Sequence, residues 1–324
     1  MSMREFLANP EWDAPFFKRL AHNDTGQAAG HQAGMVLPKD LRNYLPSLDE
    51  AVTSHQAPTT DRYLRAEMFV GAIHLTDRVV RYQFQTWGGT RSAESRITDG
   101  FQPLRDQARE GDLILFQRRA DALDRFRLIL VKQGTPEFAE VSQSVNDRRW
   151  GPLYLIEPPV TQSQLTSAGN ELASLAQQDF QVVRSAIPRV ESRQSRIARC
   201  SVFRERVRRE YERKCAVSGI IIATPTLMHE VESAHVVPVS EGGSDDIRNG
   251  FTLTQTVHWA FDRGLFGVLP TRKIYIPRQV KRMAENAFLK QFENRQITEA
   301  ATQALRVHSD AFRWHFEHKV KPWD

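Results

Sequence analysis

The chain has 324 residues, enough for two domains, since single cores rarely grow past roughly 250–300 residues. Its residues are 40% hydrophobic, 26% charged and 9% aromatic, which excludes wholesale disorder and collagen-like or low-complexity architectures. The formal net charge is +5 and the sequence pI near 9.3, so the balance leans toward polyanionic partners without singling one out.

Residues up to 157 hold short runs rich in Val, Ile, Phe and Tyr, and strands are expected at 68–74, 78–86, 112–117 and 126–132. Turn signals separate them: Trp87-Gly88-Gly89, Asp99-Gly100 and Glu110-Gly111-Asp112. This half reads as a mostly-β barrel or sandwich. Pro158 and Pro159 then break the pattern. From 162 to 180 the period turns helical, with Leu165, Leu172, Leu175 and Ala176 on one face. A second interruption at Ala186-Ile187-Pro188 precedes a basic helix expected at 196–214.

Between Arg193 and Lys214 stand nine basic residues against three acidic ones. That is either a surface for tracking phosphates or a solvated helix face laced with pairs such as Glu205–Arg209. Beyond it, a strand at 233–238 presents His235 and is stopped by Pro238. A loop with Glu241, Gly242, Gly243, Ser244, Asp245 and Asp246 follows, then Asn249-Gly250 and a second strand at 251–254. A helix starting near Thr256 carries His258 and Asp262, whose four-residue spacing puts both on one face, within reach of one cation. The tail from 278 reads as helix, and its His308, His315 and His318 have spacings suited to packing or solvent.

Some absences are also expected. No run reaches the roughly 18 apolar residues of a membrane helix, and residues 1–13 carry no apolar secretion core; a cytoplasmic protein without a membrane partner is expected. Cys200 and Cys215 supply neither a disulfide framework nor a four-cysteine zinc site. No structural zinc is expected, and Cys215 is assigned to core packing.

The sequence His235-Val236-Val237-Pro238, the Glu241-Gly242-Gly243 loop, Asn249, and the run from His258 through Phe261, Asp262, Gly264 and Leu265 to Phe266 together resemble the HNH (ββα-metal) nuclease motif. Upstream, Phe203-Arg204 and Cys215 to Gly219 extend the resemblance, which covers roughly 200–275. It implies that His235 is the general base for phosphodiester hydrolysis and that Asn249 orients this histidine and the loop. It further implies that His258 and Asp262 bind one divalent metal ion per centre, Mg²⁺ or Mn²⁺, at the scissile phosphate. Ala234 stands where many such enzymes have a third ligand. Either two protein ligands suffice, or Glu232 or His229 compensates, or the ion is weakly held.

In the first half, Asn23-Asp24-Thr25-Gly26 runs through His31, Gln32 and Gly34 to Lys39, and Trp87 leads to Thr90-Arg91 and on through Glu94 and Arg96 to Thr98. Both strings resemble the DNA-recognition domain of EcoRII-like restriction endonucleases, a pseudobarrel shared with plant B3-type transcription factors, over about 15–155. The second string has one extra residue, so pairing Glu94 and Arg96 with the family's glutamate and arginine stays open. The resemblance implies DNA contacts from Asn23, Asp24, Thr25, His31, Gln32, Lys39, Trp87, Thr90, Arg91, Glu94 and Arg96.

The expected fold is therefore α+β: an N-terminal mostly-β pseudobarrel for DNA recognition (1–157), a helical linker (158–195) and a C-terminal ββα-metal HNH nuclease domain with flanking helices (196–324). The expected function is sequence-specific, type II-like restriction of double-stranded DNA, with no nucleotide cofactor. One HNH centre cuts one strand, so a homodimer, or transient pairing on DNA, around a near-palindromic site is expected. Two alternatives stand beside it: a modification-dependent HNH endonuclease that senses methylcytosine, and a DNA-binding regulator with a decayed centre.

Overall fold

Leu64, Ala66 and Met68 alternate with Tyr63, Arg65 and Glu67, a period of two that gives one strand an apolar face and a polar one. The structure, a computed structural model, describes residues 2–27, 34–48, 53–87, 92–120, 122–153, 158–183, 192–225 and 229–324. It divides into two units, Met1–Thr166 and Ser167–Asp324.

The first unit runs α1 (Met3–Leu7), β1 (Phe16–Arg19), β2 (Met35–Leu37), β3 (Thr59–Val70), β4 (Ile73–Gln85), β5 (Glu94–Ile97), α2 (Gln102–Arg105), β6 (Leu113–Arg119), β7 (Ala122–Val131), α3 (Pro136–Val145) and β8 (Trp150–Pro152). All eight strands form one sheet in the order β2-β5-β4-β3-β7-β6-β1-β8. Only the β3–β7 pairing is parallel among these described strands.

Strands β1 to β7 all send side chains into a single cluster, among them Phe16, Met35, Leu64, Val80, Ile97, Phe116 and Leu128. A flat sheet cannot converge its strands on one cluster, so the sheet curls around it as a pseudobarrel. No ladder joins the edge strands β2 and β8 among the described residues; instead Trp150 Nε1 donates to Asp40 just beyond β2, at 3.2 Å. The opposite face of β1, β6 and β7 presents Phe17, Leu113, Leu115, Ile129 and Val131 to Met3, Phe6 and Leu7 of α1 and Val141 and Val145 of α3. The expected strand at 68–74 is corrected here: Gly71 and Ala72 form the tip between β3 and β4, and the apolar run continues across it.

Helix α4 (Gln162–Ala176) leads into the second unit, followed by α5 (Arg193–Glu210), β9 (Glu232–His235), β10 (Gly250–Leu253), α6 (Gln255–Asp262), β11 (Gly267–Val268), β12 (Ile274–Tyr275), α7 (Arg278–Arg282), α8 (Ala287–Lys290) and α9 (Ser309–His315). Phe203 and Val207 of α5, Phe251 and Leu253 of β10, and Val257, Ala260 and Phe261 of α6 build its core with Phe312 of α9. The basic helix ends at Glu210, short of 214, because Glu212 and Arg213 adopt positive φ. The tail is not one helix: extended backbone at Met283 and Thr302 breaks it into short turns. Among the described residues no helix is long and apolar enough to cross a membrane.

Candidate active site on the β9–β10 hairpin

Antiparallel β9 and β10 pair His235 with Gly250 and Ala234 with Phe251. The long loop joining them is gathered by Asn249, which is fully buried. Its Oδ1 accepts from Val237 N–H at 2.9 Å, and its Nδ2 donates to Val237 O at 3.0 Å and Ser244 O at 2.9 Å. Asn249 thus sets the loop rather than touching the imidazole of His235. Gly243 is required where the loop crosses the strand end, because a Cβ there would lie 1.9 Å from Val237 O.

Successive residues on β9 point to opposite faces. On one face Ser233 Oγ donates to Arg204 O at 2.8 Å, and the His235 ring stacks on Phe203 with centroids 4.1 Å apart and planes 7° apart. Phe203 reaches this position only because residue 250 is glycine; a Cβ there would come within 2.6 Å of the Phe203 ring. The edge of the imidazole is fixed as well: His235 Nε2 lies 3.0 Å from Asp245 Oδ1, and Asp245 Oδ2 accepts from Arg199 Nε at 3.0 Å. Burial works against the charge on Asp245, but His235 and Arg199 together hold its carboxyl below the usual range.

On the other face Glu232 Oε2 lies 2.8 Å from His258 Nδ1, and Asp262 Oδ2 lies 3.6 Å from His258 Nε2. Burial of the His258 ring opposes its charged form, yet the hydrogen bond to Glu232 and the nearby Asp262 raise its pKa. Hydrogen bonding to His258 in turn lowers that of Glu232, against the effect of burial. The structure therefore brings His258 and Asp262 together and adds Glu232. His235 sits on the opposite face of the same hairpin, and no hydrogen bond or ring contact joins it to His258 among the described residues.

These groups suit a divalent cation. The 3.6 Å gap between His258 Nε2 and Asp262 is too long for a hydrogen bond, and a site that draws positive charge onto the ring is one a cation can occupy in the proton's place. Glu232 holds the other ring nitrogen, as a carboxylate orienting a metal-binding histidine does. No cluster of three or more His, Cys, Asp or Glu side chains converges to hold a metal among the described residues. The cradle is thus a nitrogen and a carboxylate, leaving remaining positions to water and phosphate oxygen.

Asp245, Arg199 and Phe203 were not anticipated as partners of His235. Asp245 and Arg199 are 46 residues apart, so no local periodicity links them; the only signal is an acidic pair in the loop and a basic helix elsewhere. Other arginines of that helix, and one just beyond it, are committed within the chain: Arg206 to Glu210 at 3.3 Å, Arg209 to Glu205 at 3.8 Å and, past the helix end, Arg213 to Glu205 at 3.3 Å. Cys215 is buried in the core and accepts from Ser218 N–H. His229 lies in a backbone bridge to Ala223. In the tail, His315 is buried against Phe261, with ring centroids 3.7 Å apart, and donates to Phe261 O; burial lowers its pKa to about 4. His308 stacks on Phe180 and His318 on Trp314.

In the first unit, His31, Gln32, Thr90 and Arg91 lie outside the described residues. Asn23 and Lys39 are exposed and line a hollow of about 510 Å³ together with Arg19, Asp40, Arg149 and Trp150. Asp24 and Thr25, expected as DNA contacts, are buried. Asp24 accepts from Lys18 Nζ at 2.5 Å, Ala21 N–H at 2.9 Å and Val36 N–H at 3.2 Å, while the Thr25 hydroxyl donates to His22 O at 2.8 Å. Both side chains are used up in shaping the loop between β1 and β2. Burial lowers the Lys18 pKa, and Asp24 opposes that shift. Trp87 is half-buried with φ +55. Glu94 pairs with buried Arg96 at 3.4 Å on β5.

Comparison with known proteins agrees with this division. Residues 215–269 match the family described as HNH endonuclease, and residues 11–135 match the one described as restriction endonuclease EcoRII, N-terminal. No curated protein matches the chain. A solved structure described as "Modification dependent TagI restriction endonuclease" aligns with 92% of this chain and 79% of its own at 10% identity, with a TM-score of 0.31, too low to carry its arrangement across.

Proposed function

We propose that this DNA endonuclease, whose HNH domain follows an EcoRII-type N-terminal domain, cuts double-stranded DNA at a fixed sequence as a type II-like restriction enzyme. The observation that carries the reading is the hairpin itself, with a carboxylate-held His235 on one face and the His258–Asp262–Glu232 group on the other.

In this reading His235 takes a proton from water; the water oxygen forms a bond to phosphorus as the bond to the leaving sugar oxygen breaks. His258 and Asp262 would hold one divalent ion, Mg²⁺ or Mn²⁺, which supplies positive charge to the phosphoryl and leaving oxygens. Glu232 fixes the ring of His258, and Asn249 keeps the loop closed beneath His235. Exposed Asn23 and Lys39 meet DNA, with His31, Gln32, Thr90 and Arg91 on the same two strings and Trp87 and Glu94 at the second, while Arg96, expected as a contact, is buried and braces Glu94. Asp24 and Thr25 support that surface from inside. Two copies acting on a near-palindromic site would cut both strands.

The test is cleavage of supercoiled plasmid carrying diverse sequence, methylated or not, in Mg²⁺ or Mn²⁺, beside His235→Ala. Wild type is expected to give products with fixed ends, and His235→Ala none. Equal inertness of both proteins across metals and methylation states refutes the nuclease reading. Cleavage confined to methylated plasmid replaces sequence-specific restriction with modification dependence.

A further inference from the structure

A histidine that takes a proton from water needs one ring nitrogen bare and the ring held still. His235 has two devices that meet this need, and neither touches the His258 face. Phe203 stacks on the plane of its ring, while Asp245 holds its edge at Nε2, 3.0 Å away. Nδ1 has no protein partner among the described residues. Asp245 is itself fixed: its second oxygen accepts from Arg199, and Arg199 extends to Glu171 on α4 at 3.8 Å. The side chains of His235, Asp245 and Arg199 are 18%, 12% and 15% exposed, so solvent screens this line of charges only weakly.

We infer, on the reading that His235 is the base, that Asp245 is its positioning residue: it keeps a proton on Nε2, leaves Nδ1 as the accepting nitrogen, and faces the positive charge that the ring acquires. The proton moves from the water oxygen to Nδ1, and the Nε2 proton stays where it is. A carboxylate can only accept here, so the neutral ring is held in the Nε2–H form. Arg199 keeps the carboxylate ionised and aimed, which prevents Asp245 from turning away. The charged groups facing the ring are Asp245 from the loop and, behind it, Arg199 from α5.

The experiment uses the full chain with isotope-labelled histidine and follows the His235 ring by NMR, assigned by its loss in His235→Ala. Nitrogen shifts of the neutral ring are expected to report Nε2 protonated and Nδ1 bare. Asp245→Asn is expected to release the ring, so that its nitrogen shifts report a mixture of the two neutral tautomers. The single-turnover rate of plasmid cleavage should fall in the same variant, and Asp245→Glu should partly restore both the tautomer and the rate. A neutral ring protonated at Nδ1, or a tautomer unchanged in Asp245→Asn, overturns the inference. The wild-type tautomer decides it even where the variant does not fold. Wild-type cleavage by Asp245→Asn beside a dead His235→Ala sinks this role alone; equal cleavage by wild type and His235→Ala sinks the base assignment beneath it.

Discussion

Replacing Asn249 by alanine removes three hydrogen bonds at once, to Val237 N–H, Val237 O and Ser244 O. All three lie where water does not reach easily, with Val237 fully buried and Ser244 nearly so. At about 1 kcal/mol of net stability per bond the loss is about 3 kcal/mol, and the three stranded backbone groups push it toward 5. For a unit of this size that corresponds to a fall in Tm of roughly 6–20 °C in the transition that melts the hairpin. Asn249→Asp should also destabilise: it keeps an acceptor for Val237 N–H but turns a second oxygen toward two carbonyls. Urea or thermal unfolding of the full chain measures both variants. A loss under about 1 kcal/mol for Asn249→Ala would refute the claim that this side chain holds the loop. Lost cleavage at unchanged stability would instead favour a role at the imidazole.

Gly250→Ala should force Phe203 and Val207 aside, destabilise by about 1–3 kcal/mol and suppress cleavage by releasing the His235 ring; a crystal structure with Phe203 unmoved refutes it. Asp24→Asn should cost about 3 kcal/mol by leaving Lys18 buried without its counter-ion, and unfolding at wild-type stability refutes the internal role. His315 has a pKa of about 4 when folded against an ordinary 6.5 when unfolded. The unfolded chain therefore binds the proton first, and stability should fall as pH drops from 6.5 toward 4, by about 1.4 kcal/mol per unit. His315→Gln should flatten that dependence in denaturant titrations run at each pH, and an unchanged slope counts against it. Glu232→Gln, in a His235→Ala background that cannot cut, should weaken Mn²⁺ binding by roughly 10–100-fold by titration calorimetry; unchanged affinity refutes the orienting role.

Much of the HNH unit was legible because its chemistry is local. His258 and Asp262 share a helix face by spacing alone, and Pro238, Gly243 and Gly250 mark where the backbone must turn or make room. The partner of the base was not legible, because Asp245 and Arg199 meet only after the loop folds back on α5. The first unit shows the same division. Alternation in β3, β6 and β7 announces strands, yet the apolar run over 68–74 hides a hairpin tip, since side-chain pattern does not register a reversal of direction. The second-face cluster beneath α1 and α3 explains why Phe16 and Phe17 are both apolar: adjacent residues serve different cores. Asp24 misled for a related reason, as a polar residue in a glycine-rich string reads equally well as a contact or a brace.

The place of β1 in the sheet also bears on how the protein is made. Phe16–Arg19 is made before both of its neighbours, Leu113–Phe116 and Trp150–Pro152. During synthesis this strand must wait through more than ninety residues of growing chain before the nearer of them is made, with two phenylalanines uncovered and both edges unpaired. Such late, distant closure slows folding and leaves aggregation-prone surface in the open. Truncation before Pro152 should thus yield an insoluble chain rather than a smaller folded domain.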